Sequence, residues 1–288
     1  MLWRHYPDKA SLDAQFSLDR IRDLPAVMAR RLELSARARV ACPHVAGLRY
    51  GERPEATLDL FLPPAEARPA PVLVFIHGGF WRSLDAATFA FVGGAFAPRG
   101  ALVAVLDYPL IPQVRMADIV AHVRMALGWL SRNAAAHGGD PRRLHVGGHS
   151  AGGQLAVLAA ETDWQRDAGI AAGAVRGILS ISGVFDLAPV RLSFQQDQLG
   201  FTAEECAQFS PVNRVPSGAP PLIVAVGGAE TQEFVDQSLD YAARWRAAGN
   251  AADMHVVAMA NHIDILADGL AARGQPLHEA VCAQMGLG

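Results

Sequence analysis

The sequence predicts an α/β fold with a mostly parallel central sheet and helices on both of its faces. Three observations carry that prediction. Short apolar runs rich in Val, Ile and Leu recur along the chain, as in strands buried on both faces. Stretches with helical spacing stand between those runs. Several of the turns from run to helix are rich in glycine, as in a doubly covered sheet built from alternating strands and helices.

In chain order, residues 1–45 form an N-terminal segment expected to cover the site. "ATLDLFL" (56–62) alternates like a half-exposed strand. "PVLVFIH" (71–77) and "ALVAVLDY" (101–108) read as strands buried on both faces. Ile119, Val123, Leu127 and Leu130 recur at helical spacing, so 116–138 is a helix closed by Gly138. "RLHVGG" (143–148) is a strand and 150–164 a helix, followed by the strand "VRGILSIS" (175–182). Residues 186–220 lack a clear period and are expected to form a small cap. "PLIVAVGG" (221–228), a helix over 231–249, the doubly buried strand "ADMHVVAM" (252–259) and a C-terminal helix complete the chain. "FLPPAEARPAP" (61–71) is a turn between strands rather than a linker, so one domain over 1–288 is expected.

Apolar residues make up 51% of the 288 and charged residues 18%, which suits a packed core rather than disorder. A formal charge of −3 gives no reason to expect a nucleic acid or an anionic membrane as partner. Cys42, Cys206 and Cys282 are odd in number and scattered, against a disulfide framework or a zinc cluster. The N-terminus lacks the apolar core of a signal peptide, and no apolar run approaches the ~18 residues of a membrane span. The expectation is a soluble, cytoplasmic protein that acts on a small molecule.

The chemistry concentrates at "RLHVGGHSAGGQLAVLAA" (143–160). Gly148-His149-Ser150-Ala151-Gly152 is G-x-S-x-G between a strand-like run and a helix, the pattern of a sharp elbow that exposes a nucleophilic serine. The turn strains the serine backbone, and glycines two positions either side allow close approach of neighbouring chains. The alternative is an ordinary glycine-rich turn with a capping serine. "GGHSAGG" lacks the spacing of a dinucleotide fingerprint, and no GK[ST] follows it. His145 and His149 have the i,i+4 spacing of a zinc pair, but they straddle a strand end and a turn, so no metal is expected.

"FIHGGFW" (75–81) closes a strand with His77-Gly78-Gly79. A tetrahedral acyl intermediate needs N–H donors aimed at its oxyanion, and glycines expose them. Gly78, Gly79 and Ala151 are the candidate donors, with His77 bracing the loop. Phe80 and Trp81 either wall an acyl pocket or are packing aromatics.

Of ten histidines, His262 in "MANHIDIL" lies on the loop after the last strand, where a base belongs. His255 falls inside that strand, and His278 in the C-terminal helix. Glu230 stands just past the Gly-Gly turn after the preceding strand and is the first candidate for the acid that orients the imidazole. Asp186 is the alternative. Glu233 and Asp236 fall within the next helix, and Asp264 is too near His262 in sequence to reach its Nδ1 well.

The chain resembles the α/β-hydrolase superfamily, in its HGG-bearing, hormone-sensitive-lipase-like branch, and most of all bacterial relatives of kynurenine formamidase. His77-Gly78-Gly79-Phe80-Trp81-Arg82, "GHSAGGQL" (148–155), "ETQEFVDQS" (230–238) and "NHIDIL" (261–266) carry the resemblance from about Tyr50 onward. It implies Ser150 as nucleophile, Glu230 as acid where the family commonly has aspartate, and His262 as base. It further implies hydrolysis of an aryl formamide such as N-formylkynurenine, in tryptophan catabolism, without metal or organic cofactor. A short-chain carboxylesterase is the alternative activity, and a non-catalytic ligand-binding protein of the same fold is a third reading.

Overall fold

Strands β1 (His44–Arg49), β2 (Thr57–Phe61), β3 (Ala70–Ile76), β4 (Leu102–Leu106), β5 (Gly139–His149), β6 (Val175–Ile181), β7 (Leu222–Gly227) and β8 (Ala252–Val257) form one sheet in the order β1-β2-β4-β3-β5-β6-β7-β8. The structure is a computed structural model that describes residues 1–161 and 163–288, and the side chains of all of these except 163 and 164. β1 and β2 run antiparallel to their neighbours, and every pairing from β4 through β8 is parallel. The mostly parallel sheet is the expected one from β2 onward, and the cause is the expected one for the central strands. β3, β4 and β7 are buried along their whole length, as apolar runs covered on both faces must be.

Two strands differ from expectation in burial. Residues 56–62 alternate in sequence, yet Leu58, Asp59, Leu60 and Phe61 are all buried, because β2 lies inside the sheet between β1 and β4. Conversely β8 is partly exposed, because it is the sheet edge and pairs only with β7. β1 was not expected from the sequence. It is a short edge strand with a register shift between Val45 and Leu48, around Gly47 at φ +67°.

The helices in chain order are α1 (Lys9–Phe16), α2 (Leu24–Ala41), α3 (Ala90–Phe96), α4 (Met116–Asn133), α5 (Ala151–Leu158) and α6 (Asp163–Asp167), then α7 (Ala188–Leu192), α8 (Gln196–Leu199), α9 (Ala203–Phe209), α10 (Gln232–Ala247) and α11 (Pro276–Met285). α4 buries Ile119, Val123, Leu127 and Leu130, and a 3₁₀ turn carries it to Gly138 at φ +85°. α5 is shorter than the 150–164 expected, and residue 162 of that stretch lies outside the described residues. Two apolar clusters sandwich the sheet. One gathers α4, α5 and α10 around Val72, Val74 and Val146. The other packs α3 and α11 on Leu73, Phe75 and Val103.

Two segments meet above the carboxyl ends of the parallel strands. α1 is capped by Asp8 and continues into residues 17–23, while α7 to α9 fold from the 186–220 stretch. The Asp13 carboxylate accepts the Phe194 amide at 2.7 Å, joining the two. Thr231 Oγ1 donates to the Gln15 carbonyl at 2.7 Å, and Trp3 Nε1 to Glu233 Oε1 at 3.1 Å, which fastens the N-terminal segment to the start of α10.

Candidate active site

Ser150 sits between β5 and α5 at φ +55°, ψ −118°, a conformation that an L-residue adopts only when its surroundings impose it. The neighbouring glycines show what imposes it. A Cβ on Gly152 would stand 2.0 Å from the carbonyl oxygen of Ile76 at the end of β3, and one on Gly148 would stand 2.2 Å from the carbonyl oxygen of Gly152. The elbow is therefore closed on itself and wedged against β3 with no room for side chains. Ser150 N donates to the Ile181 carbonyl at 2.8 Å, which anchors the turn to β6.

His262 lies on the loop after β8, and its Nε2 is 3.0 Å from Ser150 Oγ. Its Nδ1 is 2.6 Å from Glu230 Oε2. Glu230 comes from the turn after β7, and the other carboxylate oxygen accepts from Ser182 Oγ at 2.6 Å and from Gly227 N at 2.7 Å. Both oxygens are thus engaged, and the carboxylate has one orientation available. With Nδ1–H donating to Glu230, Nε2 is left to accept the serine proton. His149 holds the same loop from behind: it is fully buried, and its Nε2 lies 2.7 Å from the His262 carbonyl. Burial pushes the His149 pKa well below its usual value, so a neutral ring donates that bond. The Phe234 ring packs 4.4 Å from the His262 ring.

The other carboxylates are occupied elsewhere. Asp186 Oδ1 accepts the Ala188 amide at 2.9 Å at the start of α7, and burial raises its pKa. Glu233 takes Gln237 Nε2 at 2.9 Å as well as Trp3. Asp236 accepts from Gln232 within α10. Asp264 pairs with Asn261. Glu230 alone of these five stands behind His262.

The loop after β3 divides its residues by direction. His77 Nδ1 lies 2.7 Å from the Gly78 carbonyl, its ring stacks 4.3 Å from Tyr108, and the Tyr108 hydroxyl donates to the His77 carbonyl at 2.9 Å. Burial lowers the His77 pKa to about 4, so it braces the loop as a neutral ring. Gly78 packs behind the serine, where a Cβ would lie 3.1 Å from Ser150 Cβ. Gly79, at φ +113°, faces the cavity that holds Ser150 and His262. Ala151 is buried as the first residue of α5. Among the described residues none of the Gly78, Gly79 and Ala151 amides donates to another backbone or side-chain group.

Phe80 and Trp81 part company. Both have positive φ, +49° and +56°, and the chain reverses there. Phe80 lines the cavity. Trp81 does not: it is fully buried, donates from Nε1 to Gln154 Oε1 at 3.1 Å and packs 5.5 Å from Phe201. Its assignment to a substrate wall is corrected to packing beneath the elbow.

The cavity measures about 630 Å³. Besides Gly79, Phe80, Ser150 and His262, its walls include Phe16 and Leu18 from the N-terminal segment, Met28 and Arg31 from α2, and Gln195 from the 186–220 stretch. Arg82 lines it too, with Nη2 donating to Gln195 Oε1 at 3.2 Å. Sequence reasoning singled out neither Phe16 nor Arg31. The only available signal was an apolar or basic residue in a weakly amphipathic segment, which does not point to a pocket. No described helix is long and apolar enough to cross a membrane.

A family model described as BD-FAE matches residues 58–244. The kynurenine formamidase of Danio rerio is 28% identical over 236 residues, covering 80% of this chain and 78% of the relative. Esterase LipC of Mycobacterium tuberculosis is 30% identical over 217 residues, covering 69% of this chain and 54% of the relative. A structure from Silicibacter sp. TM1040, described as that of a candidate thioesterase, superimposes with a TM-score of 0.80 at 25% identity, over 96% of this chain and 98% of that one. A thermophilic esterase from Thermogutta terrifontis gives 0.63 at 26% identity, over 84% and 89%.

Proposed function

The chain belongs to the BD-FAE family within the α/β-hydrolase fold and is a hydrolase, and from that premise we propose that it is a serine hydrolase that deformylates a small aryl formamide of the N-formylkynurenine type. The observation that carries the chemistry is the unbroken relay from Ser150 Oγ to His262 Nε2 at 3.0 Å and from His262 Nδ1 to Glu230 Oε2 at 2.6 Å. The likeness to kynurenine formamidases over most of both chains supports the substrate class.

In this reading Ser150 Oγ attacks the formyl carbon while His262 Nε2 takes its proton. Glu230 steadies the imidazolium so formed. The amides of Gly78, Gly79 and Ala151 receive the oxyanion. His262 then returns the proton to the departing aryl amine. A water molecule, deprotonated by the same histidine, attacks the formyl ester, and formate leaves as Ser150 is regenerated. The segments at 1–45 and 186–220 act together as the cap, with Phe16 and Phe80 meeting edge to face at 6.5 Å over the site.

A short-chain carboxylesterase is the second reading, favoured by the likeness to LipC and to the Thermogutta esterase. A formyl group needs almost no acyl space, whereas a butyryl group needs a pocket. The test compares N-formylkynurenine with p-nitrophenyl acetate and butyrate, using the protein and its Ser150→Ala variant. Turnover of N-formylkynurenine that vanishes with Ser150 supports the proposal. Rates that climb towards butyryl esters without formamide turnover replace it with the esterase.

A further inference from the structure

We propose that Arg31 is the anion-binding residue of this cavity, and that the substrate carries a carboxylate which its guanidinium receives. The inference rests on the cavity around Ser150 being the substrate site and assigns the residue there that holds the substrate carboxylate.

Arg31 projects from α2 into the wall of the same cavity as Ser150 and His262, and only 3% of it is exposed. Its Nε and Nη2 are buried and have no hydrogen-bond partner among the described residues. A buried cation without an acceptor is costly, and proteins pair such groups. The face of Phe89, 4.6 Å from the guanidinium carbon, offsets part of that cost but supplies no acceptor. Burial lowers the Arg31 pKa to about 10, with Asp85 pulling it back, so the group remains a cation at neutral pH.

The other charges around the cavity point the same way. Arg82 has its Nε buried and unpartnered, with Nη2 on Gln195. Asp13 is already engaged, by Lys9 Nζ at 2.8 Å and the Phe194 amide at 2.7 Å. Asp19 is exposed. Two guanidinium groups with unfilled donors therefore line the cavity, while the acids there are occupied or in solvent. His77 and His149, which feel the Arg31 charge, are held neutral by burial and do not compete as cations. A carboxylate on the substrate offsets part of that surplus, and a guanidinium is the side chain best matched to it.

The test is binding of kynurenine and of its α-carboxamide, which differ in that one charge, measured by titration calorimetry on the intact protein. Kynurenine is expected to bind at least tenfold more tightly than the carboxamide to the wild type. Arg31→Met should bring the two affinities within about twofold, and Arg31→Lys should keep part of the preference. Thermal midpoints of both variants report on folding, and the wild-type comparison needs no variant. Equal affinities in the wild type, binding of neither compound, or a preference that survives in Arg31→Met overturns the inference. Turnover of N-formylkynurenine is read separately: its absence beside an intact charge preference sinks the formamide reading alone.

Discussion

Replacing Glu230 by Gln isolates the charge behind His262 while leaving the packing nearly unchanged. The Gln carbonyl can still accept from Ser182 Oγ and Gly227 N, which now hold the Glu230 Oε1 atom at 2.6 and 2.7 Å. The amide nitrogen then faces His262 Nδ1, where Oε2 stands at 2.6 Å. A donor in that place turns Nδ1 into an acceptor and puts the ring proton on Nε2, the wrong tautomer for taking the Ser150 proton. It also removes the attraction that steadies the imidazolium. Two unit charges with centres ~4 Å apart at an effective dielectric constant of ~20 interact by ~4 kcal/mol. That corresponds to a loss in kcat of roughly 10³-fold. Steady-state hydrolysis of N-formylkynurenine or p-nitrophenyl acetate reads it, with urea unfolding as the check on the fold. A loss below tenfold in a folded variant would refute the role given to Glu230 and return attention to how His262 is otherwise oriented.

Ser150→Ala should remove essentially all turnover and abolish labelling by a fluorophosphonate probe, read by mass spectrometry of the intact protein. Gly152→Ala places a Cβ 2.0 Å from the Ile76 carbonyl oxygen, so about 3 kcal/mol or more of stability should go in denaturant unfolding. A wild-type-like midpoint would mean the elbow has slack. Trp81→Phe leaves buried Gln154 Oε1 without its donor, so stability should fall by about 1–3 kcal/mol while KM stays within twofold. A large change in KM with unchanged stability would put Trp81 back in the substrate wall. His77 and His145 have pKa values lowered to about 4, and His149 is held well below its ordinary value, all by burial. Unfolded imidazoles take protons below their ordinary value while these do not, so the unfolded state binds more protons and stability falls as pH drops from 6.5 towards 4. Asp107, raised to about 6 by burial, and Asp186 and Glu233, raised by burial as well, work in the opposite direction over the lower part of that window. Unfolding free energies should therefore drop as pH falls from about 7.5 to about 6, where the imidazoles dominate, and a flat profile there would contradict the burial of these rings.

The parts of the fold legible in the sequence are those whose cause is local. β3, β4 and β7 are apolar throughout because helices cover both faces, and such runs stand out without any knowledge of their neighbours. α4 shows its core face at helical spacing for the same reason. β1 was not legible, since an edge strand of six residues around Gly47 has neither a long apolar run nor clean alternation. Nor were α1 and α2, each of which buries only three residues and whose burial depends on what packs over them.

The elbow at Ser150, with glycines where backbones must touch, and the loop positions of Gly79 and His262 were determined by sequence alone, because a tight turn demands particular residue types wherever it occurs. Tertiary structure decided the rest. It set Glu230 rather than Asp186 behind His262, turned Trp81 inward, and carried Arg31 into the cavity from more than a hundred residues before the serine. Composition and periodicity record how each segment meets solvent, whereas a hydrogen-bond partner is settled only when strand order brings distant loops to the same end of the sheet.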